Sequence, residues 1–250
     1  MSVIVFMFHR TPPQSPESEW DVPMPLFRSQ VRCLLDRGCS FVRFGDTLDE
    51  RLYEGDTHVS LTFDDGHESN AAAFEFLHEL GIAPAAFIVT NWTRGTPGFF
   101  DARAIARLSP WCDFGGHGAT HMSLRGMPQR QLTGELTGSR AALEDILQRE
   151  VRTMSFPGGQ FDRGVLRTAH EAGFTVIGSS VDLINTRPGT PLHRVAVRRE
   201  HGATHLADVA AASELYWLRR RARLAATRTL SNALGSRYGA IARLLGRPRS

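Results

Sequence analysis

Two adjacent carboxylates follow a short apolar run in the stretch LTFDDGH, residues 61–67. Neighbouring residues that leave a strand point in different directions, so one carboxylate of the Asp64-Asp65 pair can hold a metal ion while the other faces a substrate. Two anions side by side are costly unless a cation or a shared proton relieves them. Asp-Gly is also a frequent turn sequence, so a solvated turn fits the same residues.

The pentapeptide HGATH occurs twice, at residues 117–121 and at residues 201–205. Histidines four residues apart on one helical turn place both imidazoles on the same side, and with one carboxylate they make three ligands and leave a position open for water. A metal in such a site lowers the pKa of its bound water and polarises a carbonyl, as amide or ester hydrolysis requires. Either copy can also be a pair of unrelated histidines, so a carboxylate must be near.

A third stretch, SFPGGQFD at residues 155–162, has Pro157, Gly158 and Gly159 near its centre. Glycine allows the backbone to approach a ligand closely, so a backbone N–H here can face a developing oxyanion. An ordinary loop between a strand and a helix fits these residues equally well.

Elements that would position these residues alternate along the chain. Short runs rich in Val, Ile and Phe alternate with segments of helical period, which favours parallel strands closed or curled into a barrel with reactive residues at their carboxyl ends. Strands are predicted over residues 3–8, 57–63, 85–90, 112–117, 151–157, 174–180 and 193–199. Helices are predicted over residues 25–38, 70–81, 101–109, 128–150 and 163–173, and almost throughout beyond residue 204.

The three motifs, in this order, resemble those of the polysaccharide deacetylases, the NodB-homology or carbohydrate esterase family 4 enzymes. TFDDG is followed about fifty residues later by HGATH, and about forty residues after that by FPGG with FDRGVLRTAHEAGF behind it. VFMFHR near the start is also similar to the strand that begins many longer members. The resemblance covers about residues 3–200 and implies an α/β fold, a distorted (β/α) barrel that removes acetyl groups from N-acetylated sugars.

This resemblance implies a role for each motif residue. Asp64 would be the general base, and Asp65, His117 and His121 would bind the metal, usually Zn²⁺ or another divalent transition metal. The family's second motif generally has Ser or Thr where this chain has Gly118, which removes a hydroxyl that braces the loop but no metal ligand.

The second HGATH is interpreted as coincidental. It follows the last predicted strand and opens a helix, where Thr204 suits an N-cap and Asp208 lies in the first turns. The metal is therefore assigned to the first copy and not to His201 and His205.

The third motif departs most from the family. Its usual form is Arg-x-Pro-aromatic-Gly, whereas residues 155–159 read Ser-Phe-Pro-Gly-Gly. The missing arginine would orient Asp64, so that positioning must come from elsewhere or be weaker, although the N–H of Gly158 can still serve as an oxyanion donor. No clear match to the family's later Leu-x-x-His motif is found. The nearest candidates for the general acid are His193 and His201, for which structural roles also remain open.

Charge divides the chain in two. Residues 216–250 contain nine arginines and no acid, so this segment carries +9 within a chain of net charge +3, and residues 1–215 carry −6. We predict a catalytic domain over residues 1–212 and a basic amphipathic helical extension over 213–250. The extension has apolar residues at near-helical spacing, which are Leu215, Leu218, Ala222, Ala225, Leu230, Leu234, Tyr238, Ile241 and Leu245.

Two interpretations of this extension stay open. A helix packed on the barrel with a solvated basic face is one, and a helix lying on an anionic membrane surface is the other. Nucleic acid is not expected as a partner, because no recognised reading motif accompanies the charge.

The remaining composition indicates a reduced, intracellular protein. The cysteines, Cys33, Cys39 and Cys112, are odd in number and lack CxxC spacing. The sequence MSVIVFMFHR resembles a first buried strand and not a signal peptide. We therefore expect a cytoplasmic protein, peripheral at the inner face of the membrane if the extension binds lipid.

The leading hypothesis is a metal-dependent hydrolase that removes an N-acetyl group from an amino sugar of a bacterial polysaccharide or lipid-linked glycan precursor. One alternative keeps the chemistry but moves it to a small amino-sugar metabolite or another amide. The other is a catalytically impaired barrel that binds glycan or membrane, which the missing arginine permits.

Overall fold

Parallel strands form the framework of the fold. The structure is a computed structural model that describes residues 2–234. Within that range the strands are β1 (Val3–Phe8), β2 (Ser40–Phe41), β3 (His58–Phe63), β4 (Ala85–Ile88), β5 (Asp113–Gly116), β6 (Thr153–Ser155), β7 (Val176–Gly178) and β8 (Val195–Ala196). All pairings between these strands are parallel.

The sheet curls into a barrel. Its strands follow the order β7-β6-β5-β4-β3-β1-β8, and β2 pairs with the start of β3. The segment around β8 joins the two ends of this order, because β8 pairs with β1 while Leu192, just before β8, forms a parallel bridge to Gly178 at the end of β7. The predicted distorted (β/α) barrel is confirmed.

Helices connect the strands and cover the outside of the barrel. They are α1 (Met24–Asp36), α2 (Ala71–Glu79), α3 (Ala102–Leu108), α4 (Gln129–Leu147), α5 (Arg163–Glu171), α6 (His205–Ala210) and α7 (Glu214–Leu234). The chain divides into two compact units, one of residues 1–211 and one that begins at Ala212 with α7. The near-continuous helix predicted beyond residue 204 is thus interrupted between α6 and α7.

An aromatic layer joins the strands to α1 and α2. Phe8 and Phe63 stack on neighbouring strands with ring centroids 5.3 Å apart, and Phe27 of α1 and Phe74 of α2 pack edge-on against them. All four side chains are fully buried. Burial of each such ring contributes about 1.5–3 kcal/mol to folding, so this layer fixes the strands that carry the polar residues at their ends.

The barrel interior is apolar near the amino ends of the strands. Val3, Val5, Phe87 and Leu192 belong to one buried cluster, which Phe44 joins from a short 3₁₀ turn. Because this part of the interior is filled by hydrocarbon, buried polar groups collect toward the carboxyl ends of the strands, where a barrel of this kind places its reactive residues.

Two local predictions need correction. The two-residue strand β2 is missed, because such a short segment carries no periodicity. Thr204 does precede α6, but its hydroxyl donates to the Asp208 carboxylate at 2.7 Å and makes no capping bond to the helix backbone.

The end of the predicted extension lies outside the described residues. This applies to Tyr238, Ile241 and Leu245 of the apolar stripe and to the last four arginines. Among the helices that the structure does describe, none is long and apolar enough to cross a membrane.

Candidate metal centre

The turn after β3 separates its two carboxylates. The backbone N–H of Asp64 donates to the carbonyl of Phe8 at 2.9 Å, which extends the β1–β3 pairing by one residue. Asp65 and Gly66 then adopt left-handed backbone conformations with φ of 72° and 79°. The left-handed φ of Gly66 favours glycine here, because a Cβ at this position would be strained.

The first HGATH is a loop and not the predicted helical turn. His117 directly follows β5, and its N–H donates to Ile88 of β4 at 2.9 Å. Gly118 and His121 have left-handed φ values of 73° and 65°, and this backbone path, not helical spacing, brings the two imidazole rings to a centroid distance of 5.1 Å.

Glu135 of α4 holds this loop in place. Its buried carboxylate accepts hydrogen bonds from the backbone N–H groups of Ala119 and Thr120, at 2.8 and 3.0 Å, and from the Thr120 hydroxyl at 2.8 Å. The family's Ser or Thr at the position of Gly118 would brace the loop with its hydroxyl. Here the Glu135 carboxylate of α4 braces the loop instead.

Asp65, His117 and His121 form a set of three donors that suits a metal. Asp65 Oδ1 lies 3.4 Å from His117 Nε2 and 3.2 Å from His121 Nε2. Ligands about 2.0–2.2 Å from a tetrahedral Zn²⁺ are roughly 3.3–3.5 Å from one another, which is close to this spacing. Among the described residues this is the one group of three His, Cys, Asp or Glu side chains close enough to share an ion.

The hydrogen bonds around His117 orient it as a ligand. Its Nδ1 lies 3.0 Å from the carbonyl of Ser155, which can only accept, so Nδ1 carries the proton. The lone pair of Nε2 then faces Asp65, an arrangement typical of metal-bound histidine. The Ser155 hydroxyl lies 2.6 Å from the same Nδ1 and donates to Asp64 Oδ1 at 3.2 Å. One serine thus joins the candidate ligand to the candidate base.

Arg194 supplies what the third motif lacks. Its guanidinium is fully buried and grips Asp64 with two hydrogen bonds, Nη1 to Oδ1 at 2.7 Å and Nη2 to Oδ2 at 2.8 Å. Nε donates to the carbonyl of Ser179 at 2.9 Å, and the group lies over the Phe87 ring. The two parallel hydrogen bonds fix the orientation of the Asp64 carboxylate, and the positive guanidinium stabilises its negative charge.

The other strands make room for this arginine. A Cβ at Gly178 of β7 would lie 2.8 Å from Arg194 Nε, so glycine is needed where the side chain passes. Sequence reasoning missed Arg194. The available signal was an arginine at the start of a predicted barrel strand, HRVAVRR, where a buried charge requires a partner.

The electrostatics of the two aspartates follow from these contacts. Burial acts to raise the pKa of Asp64, but the charge and hydrogen bonds of Arg194, with help from His117, hold it below its usual value. Burial likewise acts to raise the pKa of Asp65, and the neighbouring imidazoles of His117 and His121 outweigh this effect and lower the pKa. Both carboxylates are therefore ionised near neutral pH.

His9 is a second residue that sequence reasoning missed. It follows β1 directly and lies beside Asp64, and its ring packs on Trp20 with centroids 4.6 Å apart. Burial lowers the pKa of His9, while the charges of Asp64 and Asp65 oppose that shift, as they do only for a nearby ring. VFMFHR is predicted as a strand alone, yet a histidine at the end of a strand beside TFDDG belongs to the same edge.

The two candidates for the general acid, His193 and His201, make the following contacts. The backbone of His193 is bonded to Asn185, which in turn bonds Val3 at the start of β1, the end of that strand opposite Asp64. The carbonyl of His201 accepts from Gln30 of α1, and its ring stacks on His205 at 3.8 Å. The role of either histidine as the general acid stays a prediction.

Gly158 lies where the chain leaves β6, in the 3₁₀ turn Pro157–Gly159, with a left-handed φ of 59°. Its N–H as an oxyanion donor stays a prediction.

An aromatic surface borders His121. Trp92, which follows β4, packs on His121 with centroids 5.3 Å apart and on Phe99 at 4.3 Å. Trp92 is half-buried. It therefore offers an apolar face beside His121.

Comparison with known sequences identifies the family of this chain. The family model described as polysaccharide deacetylase matches residues 53–177, and the chain belongs to this family. An uncharacterized protein of Streptomyces coelicolor is 30% identical over 123 residues, which cover 49% of this chain and 47% of that protein. The chain therefore matches about half the length of this relative.

Solved structures share the fold. The deacetylase PplD of Streptococcus pyogenes has a TM-score of 0.77 at 18% identity, covering 85% of this chain and 99% of that one. IcaB from Ammonifex degensii has a TM-score of 0.75 at 23% identity, covering 84% and 97%. A polysaccharide deacetylase from Bacillus cereus has a TM-score of 0.73 at 21% identity, covering 84% and 69%. Identities this low support the shared fold.

Proposed function

We propose that this protein removes the N-acetyl group from an amino sugar of a glycan, with a divalent metal held by Asp65, His117 and His121. The observation that carries the proposal is the buried Asp64–Arg194 pair, which fixes an ionised carboxylate directly beside the three donors. A fixed base next to a metal site is the arrangement that amide hydrolysis requires.

The donor set suits Zn²⁺, because two imidazole nitrogens and one carboxylate oxygen are ligands that this ion takes in catalytic sites. When bound, the metal supplies a Lewis acid that polarises the acetyl carbonyl and makes a water more acidic. Ser155 holds His117, and Glu135 holds the loop that carries His121, through the hydrogen bonds described above.

Residues of the protein carry out the remaining steps of the hydrolysis. Asp64 accepts a proton from water as its oxygen attacks the acetyl carbon, and the N–H of Gly158 donates to the oxyanion that forms. His9, which lies beside Asp64, relays the proton that Asp64 accepted to the amide nitrogen as the C–N bond breaks. The products are acetate and a free amino sugar. Trp92 offers an apolar face against which a sugar ring can pack.

The alternative of an impaired barrel loses its main support. It was suggested by the missing arginine of the third motif, and Arg194 contacts the same carboxylate with two hydrogen bonds. A small amino-sugar metabolite or another amide as substrate is kept as the second candidate, since the residues at the cluster act on the acetamide and not on the rest of the molecule.

Metal analysis with an acetate assay tests the function. We expect about one zinc per chain and release of acetate from N-acetylated chitooligosaccharides, measured by an enzyme-coupled assay on the zinc-loaded protein. N-acetylglucosamine serves as the comparison substrate. Faster turnover of the monosaccharide would favour the small-metabolite candidate, and bound zinc with no acetate from either compound would contradict the proposal.

Replacing His9 with Gln tests the proton donor. We expect turnover of an N-acetyl substrate to fall by about 10²-fold, the lower range for loss of general acid catalysis, with zinc content unchanged. Hydrolysis of 4-nitrophenyl acetate should fall much less, because its leaving group departs without a proton. Equal losses on both substrates would mean that His9 is structural. His193→Gln is the matched control and should leave both rates near those of the unchanged protein.

A further inference from the structure

The exposed apolar residues of this protein concentrate on α7. Seven large hydrophobic side chains are exposed among the described residues, and four of them lie within ten positions of this helix: Leu215, Tyr216, Leu218 and Leu224. Leu215 and Leu218 leave 54% and 62% of their surface to solvent. Such a concentration of exposed apolar surface marks an interaction site more often than chance exposure does.

Leu215, Leu218 and two exposed alanines form an arc along the helix, whereas Tyr216 and Leu224 project from other sides of it. At 100° per residue, Leu215, Leu218, Ala222 and Ala225 fall on one side, and all four are exposed. The arc extends over about 15 Å, since ten residues of α-helix rise 1.5 Å each.

Arginines border this arc on both sides. Arg219 and Arg223 project along one edge and Arg221 along the other, and all three are exposed. Glu214, the first residue of α7, is the last acidic residue of the chain, so no carboxylate after it offsets this charge. Leucines at the centre with arginines at the edges are the pattern of a helix that lies in a membrane interface, with its apolar arc among acyl chains and its cations at the headgroup phosphates.

We propose that α7 docks this protein on the surface of an anionic phospholipid membrane. Charge complementarity selects this partner, because the arginines match lipid phosphate groups while the leucines require a hydrocarbon phase beside them. Nucleic acid would satisfy the arginines only, and its backbone offers no apolar layer for Leu215 and Leu218. A second copy of the chain, whose residues 1–215 carry −6, would also satisfy the charge, and the experiment below distinguishes it from lipid.

Vesicle co-sedimentation with the full chain tests this proposal. The protein should sediment with vesicles of phosphatidylcholine and phosphatidylglycerol, much less with phosphatidylcholine alone, and the binding should weaken as salt rises. Each arginine near such a surface contributes roughly a fivefold factor in partitioning. The variant Arg219→Gln/Arg223→Gln should therefore bind roughly thirty-fold more weakly, and Leu215→Ser/Leu218→Ser should also lose binding.

Matched controls lie on the first unit. Arg103→Gln/Arg107→Gln removes two exposed arginines from α3, and Leu35→Ser removes an exposed leucine from α1. Both should bind like the unchanged protein, and all variants should keep their zinc. Equal binding of the α7 variants and the controls would overturn the proposal. So would sedimentation with neutral and anionic vesicles alike, or a dimer that persists with the leucines replaced and ignores lipid.

Discussion

Replacing Asp64 with asparagine is expected to lower the turnover of an N-acetylated sugar by about 10²–10⁴-fold while leaving the metal bound. The amide keeps the size of the side chain but cannot accept the proton that the reaction removes from water. Asp64 also lies outside the three donors, Asp65, His117 and His121, so metal content should stay near one per chain. Turnover is measured as acetate release, and zinc by elemental analysis of the same sample.

Asp65→Asn is the matched control, since it makes the same chemical change one residue later. It should lose most of its zinc, because a neutral amide oxygen is a weaker ligand than a carboxylate. The assignment of the two aspartates would be reversed by an Asp64→Asn protein without zinc and an Asp65→Asn protein that retains it.

Asp64→Asn also breaks the buried ion pair with Arg194. The free energy of unfolding must therefore be measured together with turnover. Asp64→Asn leaves the Arg194 guanidinium buried without its counter-charge, and breaking such a pair costs about 3–5 kcal/mol of unfolding free energy. The double variant Asp64→Asn/Arg194→Gln removes both charges and should recover part of this loss. Recovered stability with turnover still low would separate the role of Asp64 in catalysis from its role in folding.

His121→Ala is expected to abolish stoichiometric zinc binding, because it removes one of the three donors. Two ligands hold Zn²⁺ far more weakly than three. The fold should persist, since His121 is half-exposed at the end of a loop that Glu135 holds through Ala119 and Thr120. Zinc content after dialysis and the thermal unfolding midpoint measure the two expectations.

His205→Ala is the control from the second HGATH. Its ring stacks on His201 beside α6 and belongs to no three-donor group among the described residues. Zinc binding should be unchanged. Loss of zinc in His205→Ala, with zinc retained in His121→Ala, would show that the metal belongs to the second copy.

The barrel could be predicted because its signals are local. Alternating apolar runs and helical segments give the strands and helices to within a few residues, as for β1, predicted and found over residues 3–8. The order of the TFDDG, HGATH and FPGG motifs led to Asp65, His117 and His121, and the three side chains do meet.

The residues that the sequence did not reveal reach the site through tertiary structure. Arg194 lies 130 positions after Asp64, and no spacing rule joins them, since the contact depends on the curl that brings β8 beside β1. His9 likewise reaches Asp64 only in the folded protein, because it follows β1, the strand that pairs with β3. The helical turn expected for residues 117–121 failed because positive φ at a histidine leaves no mark in the sequence.

That left-handed backbone has a consequence for how the protein can be changed. Asp65 and His121 hold φ values of 72° and 65°, a conformation that costs roughly 1–2 kcal/mol in residues with a Cβ. A chain selected for stability alone would carry glycine at both positions and would lose two of its three donors. The conformational cost is met when the protein folds, so the ligands stand ready before any ion arrives. Glycine at Asp65 or His121 would therefore stabilise the backbone but remove a metal ligand. An engineered variant cannot gain both at these two positions.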